Sequence, residues 1–234
     1  MRKRKNRKKW LLIGAIVLGL CRVLPMLPMA DIADTIIQGR QEEREVASME
    51  LGWNLILVND QYRIPQDYEP DLMQLSNGQQ IDKKIYPALQ EMFDTARAEG
   101  LGLYVAAGYR TDEKQTELMD KKICSYLLDG YSLAESRKMA RQWVAVPGTS
   151  EHQLGISVDI NANISISSSS AVYTWLQENA YRYGFVQRYP DDKADITGIS
   201  YEPWHYRYVG EAAALEMHEK NLCLEEYIAA LENS

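Results

Sequence analysis

Hydrophobic positions follow three successive regimes along the chain. Trp10 to Cys21 is continuously apolar, Arg22 interrupts it, and Val23 to Ala30 is apolar again. Residues 31–50 are polar and helix-tolerant. From Trp53 onward the apolar residues become periodic. Trp53 to Asn59 predicts a strand ended by Asn59-Asp60. Tyr62 to Gln80 predicts a loop, with Pro65, Pro70 and Asn77-Gly78 as turn signals. In Asp82 to Glu99, Ile85, Leu89, Met92, Phe93 and Ala96 share one helical face, Pro87 marks a first turn and Gly100 closes the helix. Leu101 to Ala107 predicts a second strand, leading into Gly108-Tyr109-Arg110-Thr111. Thr111 or Asp112 can cap a helix running to about Leu128, and a further helix covers Ser132 to Trp143. After the break at Pro147-Gly148, Ile156 to Ile160 reads as a short strand and Ser165 to Ser170 as a surface loop. Ala171 to Tyr183 reads as a helix stopped by Gly184. Phe185 to Arg188 and Trp204 to Val209 read as strands, and Glu211 to Leu231 as an amphipathic terminal helix. Helices and strands mix without a regular βαβ rhythm. That predicts an α+β fold with a central, mainly antiparallel sheet and flanking helices.

Charge divides the chain in the same way. Residues 1–30 hold eight Lys or Arg and no acid, so residues 31–234 carry 18 basic against 33 acidic residues, a net of −15. An acidic body argues against a nucleic-acid partner, because phosphate binding needs a basic face. The expected organisation is a basic cytoplasmic tail at 1–9, a signal anchor or signal peptide at 10–30, a stalk at 31–50 and a folded domain at 51–234. The seven Lys or Arg in residues 2–9 predict that the tail stays in the cytoplasm and sends the body outward, membrane-attached as an anchor or secreted if the leader is cleaved. Three cysteines make no disulfide framework, although one Cys124–Cys223 bridge is compatible with their number.

Two distant segments carry the chemistry: Ser150-Glu151-His152-Gln153-Leu154-Gly155-Ile156-Ser157-Val158-Asp159 and Glu202-Pro203-Trp204-His205. Two of the three histidines in the chain lie in them. His152, Asp159 and His205 suit zinc: two nitrogens and one oxygen, with a fourth position open for water. His152 and Asp159 are seven residues apart, an odd separation that would place them on opposite faces of one strand. A turn at Leu154-Gly155 resolves this, with His152 before it, Asp159 inside the next strand and His205 on another. Glu202, held three residues before His205 by Pro203, is the candidate general base. Asp191, Asp192 and Asp195 compete for that role, but Asp191-Asp192-Lys193 reads as a solvated loop, and His218 reads as a surface residue. The plainer alternative is a half-buried strand, Trp204 to Tyr206, with a hydrogen-bonded histidine. Spacing alone leaves both open.

These segments, extended to Tyr206-Arg207-Tyr208-Val209-Gly210, resemble the VanY-type D-alanyl-D-alanine carboxypeptidases, zinc peptidases of bacterial cell-wall metabolism. Gly108-Tyr109-Arg110, with Gln115 after it, is similar to a third motif of that family, and the motifs stand in the family's order between Trp53 and Leu231. The resemblance implies Zn2+ on His152, Asp159 and His205, Glu202 as catalytic base, and Arg110 on the substrate's terminal carboxylate. It also implies that Ser150 bonds the substrate near the scissile bond and that Gln115 contacts the peptide. Tyr109 is expected to pack. Ser157 departs from the small apolar residue of many relatives, with little expected effect on the ligands. The implied substrate is a peptidoglycan stem peptide or precursor ending in D-alanine. An L,D-carboxypeptidase on tetrapeptide stems is a variant of this reading. A non-catalytic zinc-stabilised wall-binding module is the alternative class, against which Glu202 counts because a structural site needs no base. A nucleotide enzyme lacks support, since no Gly-rich phosphate loop follows a strand.

Overall fold

The computed structural model describes residues 51–233. The expected tail, anchor and stalk lie outside them. Among the described residues no helix is long and apolar enough to cross a membrane.

Four strands form one antiparallel sheet: β3 (Leu103–Ala107), β4 (Ser157–Ala162), β5 (Phe185–Tyr189) and β6 (Glu202–Tyr208), in the order β3-β4-β6-β5. A separate hairpin pairs β1 (Leu72–Gln74) with β2 (Gln80–Asp82). The longer helices are α1 (Tyr86–Ala98), α2 (Asp112–Leu128), α3 (Leu133–Arg141), α4 (Ser169–Asn179), α6 (Glu211–Lys220) and α7 (Leu224–Glu232), and α5 (Ala194–Thr197) is a single turn. The α+β architecture with an antiparallel sheet therefore matches the pattern of the sequence.

Alternation along the strands sorts the side chains. Val158, Ile160 and Tyr206 point into a core shared with Ile85, Leu89 and Met92 near and along α1 and with Val172 and Leu176 of α4. Residues one position out of step face the other way. Asp159 pairs directly with His205, and Ser157 with Arg207. One sheet face thus carries the larger core cluster, and the other carries Asp159 and His205 together with Val186 of a second apolar cluster. A second apolar cluster joins Val209, Ala214, Met217, Leu224 and Ile228 to Leu55 and Leu57. Each fully buried Leu, Ile or Met contributes about 1.5–3 kcal/mol.

Several expected elements differ. Trp53 to Asn59 forms no strand, although Leu55 to Val58 are buried and alternate between the two clusters. A side chain takes the place of a ladder here. The Arg207 guanidinium donates to the carbonyls of Asn54 at 3.1 Å and Ile56 at 2.9 Å. The expected loop at 62–80 contains β1 and leads into β2 around the Asn77-Gly78 turn; three-residue strands are too short for alternation to register. The expected helix from Asp82 starts as a 3-10 turn at Lys83–Ile85, with Asp82 accepting from the Lys84 N–H, and Pro87 sits in the first turn of α1. The terminal helix is two helices, broken at Asn221 with φ of 50°, a conformation asparagine tolerates better than most residues. Cys124 and Cys223 are both free.

Candidate active site

His152 stands in a 3-10 helix, Glu151–Leu154, that ends at Gly155 with φ of 74°. This left-handed glycine reverses the chain so that β4 can begin two residues later, bringing Asp159 back beside His152. The anticipated turn at Leu154-Gly155 is therefore the device that reconciles the odd spacing. Gly108 completes the cradle. Its carbonyl accepts from His152 Nδ1 at 2.7 Å, and the Arg110 N–H donates to the His152 carbonyl at 3.1 Å. A Cβ at Gly108 would lie 2.1 Å from the Gln80 carbonyl oxygen, so only glycine fits this close approach.

With Nδ1 donating to Gly108, the Nε2 of His152 faces inward, 3.3 Å from Asp159 Oδ1. The same oxygen is 3.1 Å from His205 Nδ1. His152, Asp159 and His205 offer ligand atoms that all lie within 4.8 Å of one another. Burial lowers the His152 pKa to about 4, which keeps a ligating nitrogen unprotonated near neutrality. For His205, burial opposes the charge, but its contact with Asp159 and the nearby carboxylate of Glu151 outweigh it and raise the pKa to about 9. A divalent cation would compete with that proton. His205 Nε2 is buried without a hydrogen-bond partner among the described residues and looks toward Glu151 Oε2 at 3.6 Å. The set fits zinc: two imidazoles and one carboxylate converging, the His152 tautomer fixed from behind by Gly108, and a carboxylate behind His205.

Glu202 begins β6 and is buried. Its Oε2 lies 3.8 Å from His205 Nδ1. Burial, helped by the charge of Asp159 and opposed by His205 and Arg110, raises its pKa to about 7. A carboxyl so placed can exchange protons at neutral pH. The residues line a cavity of about 450 Å³ that also includes Arg110, Gln115, Ser150, Tyr189 and Trp204. All seven candidate residues therefore border one space.

Arg110 is not idle in it. Its Nη2 pairs with Asp159 Oδ2 at 2.7 Å, so it steadies a metal ligand as well as facing the cavity. Gln115 is buried rather than on a helix surface. Its Nε2 donates to the Ala145 carbonyl at 2.8 Å, and its Oε1 is buried without a partner among the described residues. Asp191, Asp192 and Asp195 are exposed, as is His218, which stacks on Tyr181 with ring centroids 3.7 Å apart.

Sequence reasoning passed over Glu151 except as part of a motif. It is buried against Arg188 at 2.8 Å and Arg207 at 2.9 Å. Burial alone would raise its carboxyl, but the two arginines hold it far below the ordinary range. Ser157 Oγ donates to Glu151 Oε2 at 3.2 Å. The unusual serine thus reaches His205 through one intermediary. The available signal was the placement of Arg188 and Arg207 inside apolar strands, where a buried guanidinium demands a carboxylate.

Comparison with known proteins agrees with this geometry. Residues 78–211 match the family model VanY, D-alanyl-D-alanine carboxypeptidase. A D-alanyl-D-alanine carboxypeptidase of Enterococcus faecalis (strain ATCC 700802 / V583) is 52% identical over 211 residues, covering 88% of this chain and 79% of that protein. The solved structure of VanYB in complex with D-alanine-D-alanine is 57% identical, with a TM-score of 0.75 over 76% of this chain and 98% of that one. A variant of the vancomycin-resistance D,D-pentapeptidase VanY in complex with Zn(II) is likewise 57% identical, with a TM-score of 0.74 over 76% of this chain and 99% of that one.

Proposed function

The chain belongs to the VanY family of D-alanyl-D-alanine carboxypeptidases, and from that premise we propose that it is a zinc-dependent carboxypeptidase removing the terminal D-alanine from peptidoglycan stem peptides or precursors. The observation that carries this reading is the convergence of His152, Asp159 and His205 beside Glu202, in a cavity that also holds Arg110. His152, Asp159 and His205 would hold the metal, which supplies a Lewis acid and water of lowered pKa.

The remaining chemistry belongs to the chain. Glu202 takes a proton from the attacking water and returns it to the departing amine, work suited to a carboxyl with a pKa of about 7. Arg110 receives the terminal carboxylate of the peptide with the N–H groups that Asp159 does not use. Its ion pair with Asp159 fixes the distance between that anchor and the metal, which favours cleavage one residue from the end. Gln115 borders the cavity as a peptide contact, and Ser150 bonds the substrate near the scissile carbonyl. The block of basic residues at 2–9, followed by the apolar stretch at 10–30, supports placing this domain outside the cell membrane.

Mass spectrometry of products from a matched tetrapeptide and pentapeptide stem tests the reading. Release of a single D-alanine from the pentapeptide is expected. Cleavage of the tetrapeptide alone would replace the reading with L,D-carboxypeptidase action, and cleavage of neither would reject it.

A further inference from the structure

The cavity wall formed by α2 and the segment just before it is basic, in a chain whose body is strongly acidic. Arg110, Lys121 and Lys122 all line it. Two of these cations are already matched: Arg110 pairs with Asp159, and Lys121 with Glu117. Lys122 has no carboxylate partner among the described residues. Its Nζ instead stands over two rings, 5.1 Å from the centroid of Trp143 and 5.3 Å from that of Tyr126. Trp143 lines the same cavity. The rings restrict a long, flexible side chain without neutralising it. A half-buried, pre-positioned ammonium that bonds no carboxylate, although its charge reaches Glu202, is suited to an anion that arrives with the substrate.

Spacing says where on the substrate that anion lies. Lys122 is seven residues after Gln115 on α2, two helical turns or about 10 Å along the axis. An extended peptide advances roughly 3.3–3.6 Å per residue. A peptide whose C-terminal end lies beside Gln115 and that runs along α2 therefore reaches Lys122 about three residues upstream. The terminal carboxylate cannot occupy both places.

We propose that Lys122 is a specificity-determining residue that binds a second carboxylate of the peptide, borne upstream of the scissile bond, so that the protein prefers substrates in which that group is free over those in which it is amidated. This rests on the carboxypeptidase reading above. The competing role is purely structural, with Lys122 tying α2 to the Trp143 segment. A structural role would affect charged and amidated substrates alike.

The test uses two pentapeptides ending in D-Ala-D-Ala that differ only in a free or amidated carboxyl group three residues from the C-terminus. Release of D-alanine from each is measured with the zinc-loaded full chain. The parent protein is expected to favour the free carboxylate about fivefold in kcat/KM, expressed mainly in KM, the size of one partly shielded ion pair. That ratio should shrink toward one in 0.5 M salt and in Lys122→Met, persist in Lys122→Arg, and fall below one in Lys122→Glu. A parent ratio near one, or a ratio unchanged in Lys122→Met, overturns the role of Lys122 while leaving the carboxypeptidase reading intact. No hydrolysis of either peptide overturns the carboxypeptidase reading and this inference with it. Should Lys122→Met fold poorly, Lys122→Gln supplies the same comparison.

Discussion

Behind the metal ligands runs a line of buried charge: His205 to Glu151, Glu151 to Arg188 and Arg207, and Arg188 to Glu225 on α7. Arg188 meets Glu151 at 2.8 Å and Glu225 at 2.6 Å. Removing one member of such a buried pair strands the other, typically at a cost of about 3–5 kcal/mol. Glu225→Gln should therefore lower stability by about 3 kcal/mol in denaturant unfolding. The sign of its pH dependence follows from its environment. Burial raises the Glu225 carboxyl, but Arg188 outweighs this and holds its pKa below the ordinary value. Its contribution is then present above the unfolded-state pKa of about 4.3 and is lost as pH falls through the folded value. With a chelator present throughout, the parent protein should lose stability below about pH 4 more steeply than Glu225→Gln. Equal slopes would remove Glu225 from the account. At the reacting centre, Glu202→Gln should keep zinc affinity within a few-fold and lose about 10²–10⁴ in turnover. Unchanged turnover would contradict its assignment as base.

At the scale of elements, Gly108 shows how the fold builds the site. Its lack of a side chain lets the strand end pass against Gln80, and its carbonyl then aligns the His152 ring. Gly108→Ala should weaken zinc binding at least tenfold in a competitive chelator titration, the usual effect of disturbing a ligand's supporting hydrogen bond. Unaltered affinity would mean the cradle is dispensable. Periodicity located α1, which buries one face, whereas α2 was placed by its cap. Thr111 and Ser132 sit at the N-caps of α2 and α3, and Ser132 with Glu135 forms a capping box. Periodicity missed the Leu55–Val58 segment's true pairing because its carbonyls bond a side chain from β6. Residue type and spacing nominated His152, Asp159, His205 and Glu202, since a turn at glycine is a local event, and the resemblance favoured that reading over a plain half-buried strand. Glu151 could not, because its role depends on two arginines 37 and 56 positions later that only the sheet brings near. The resemblance proposed Arg110 as a substrate anchor, while its pairing with Asp159 needed the register that sets Ala107 opposite Asp159.

For the whole molecule, one sheet face holds the larger core cluster and the other the site, so metal and fold are separable. The core clusters and the Glu151 network contain no metal ligand other than the contact to His205. Zinc removal should leave far-UV circular dichroism unchanged while lowering the melting temperature by a few degrees, since a ligand that binds only the native state stabilises it. Collapse of the spectrum would assign the metal a structural role instead. The most direct measurement is a zinc titration of the chelator-stripped protein, followed by D-alanine release from a pentapeptide ending in D-Ala-D-Ala. The account predicts no turnover without metal and full turnover at one zinc per chain. Undiminished release from the stripped protein, or none at any zinc level, would contradict it.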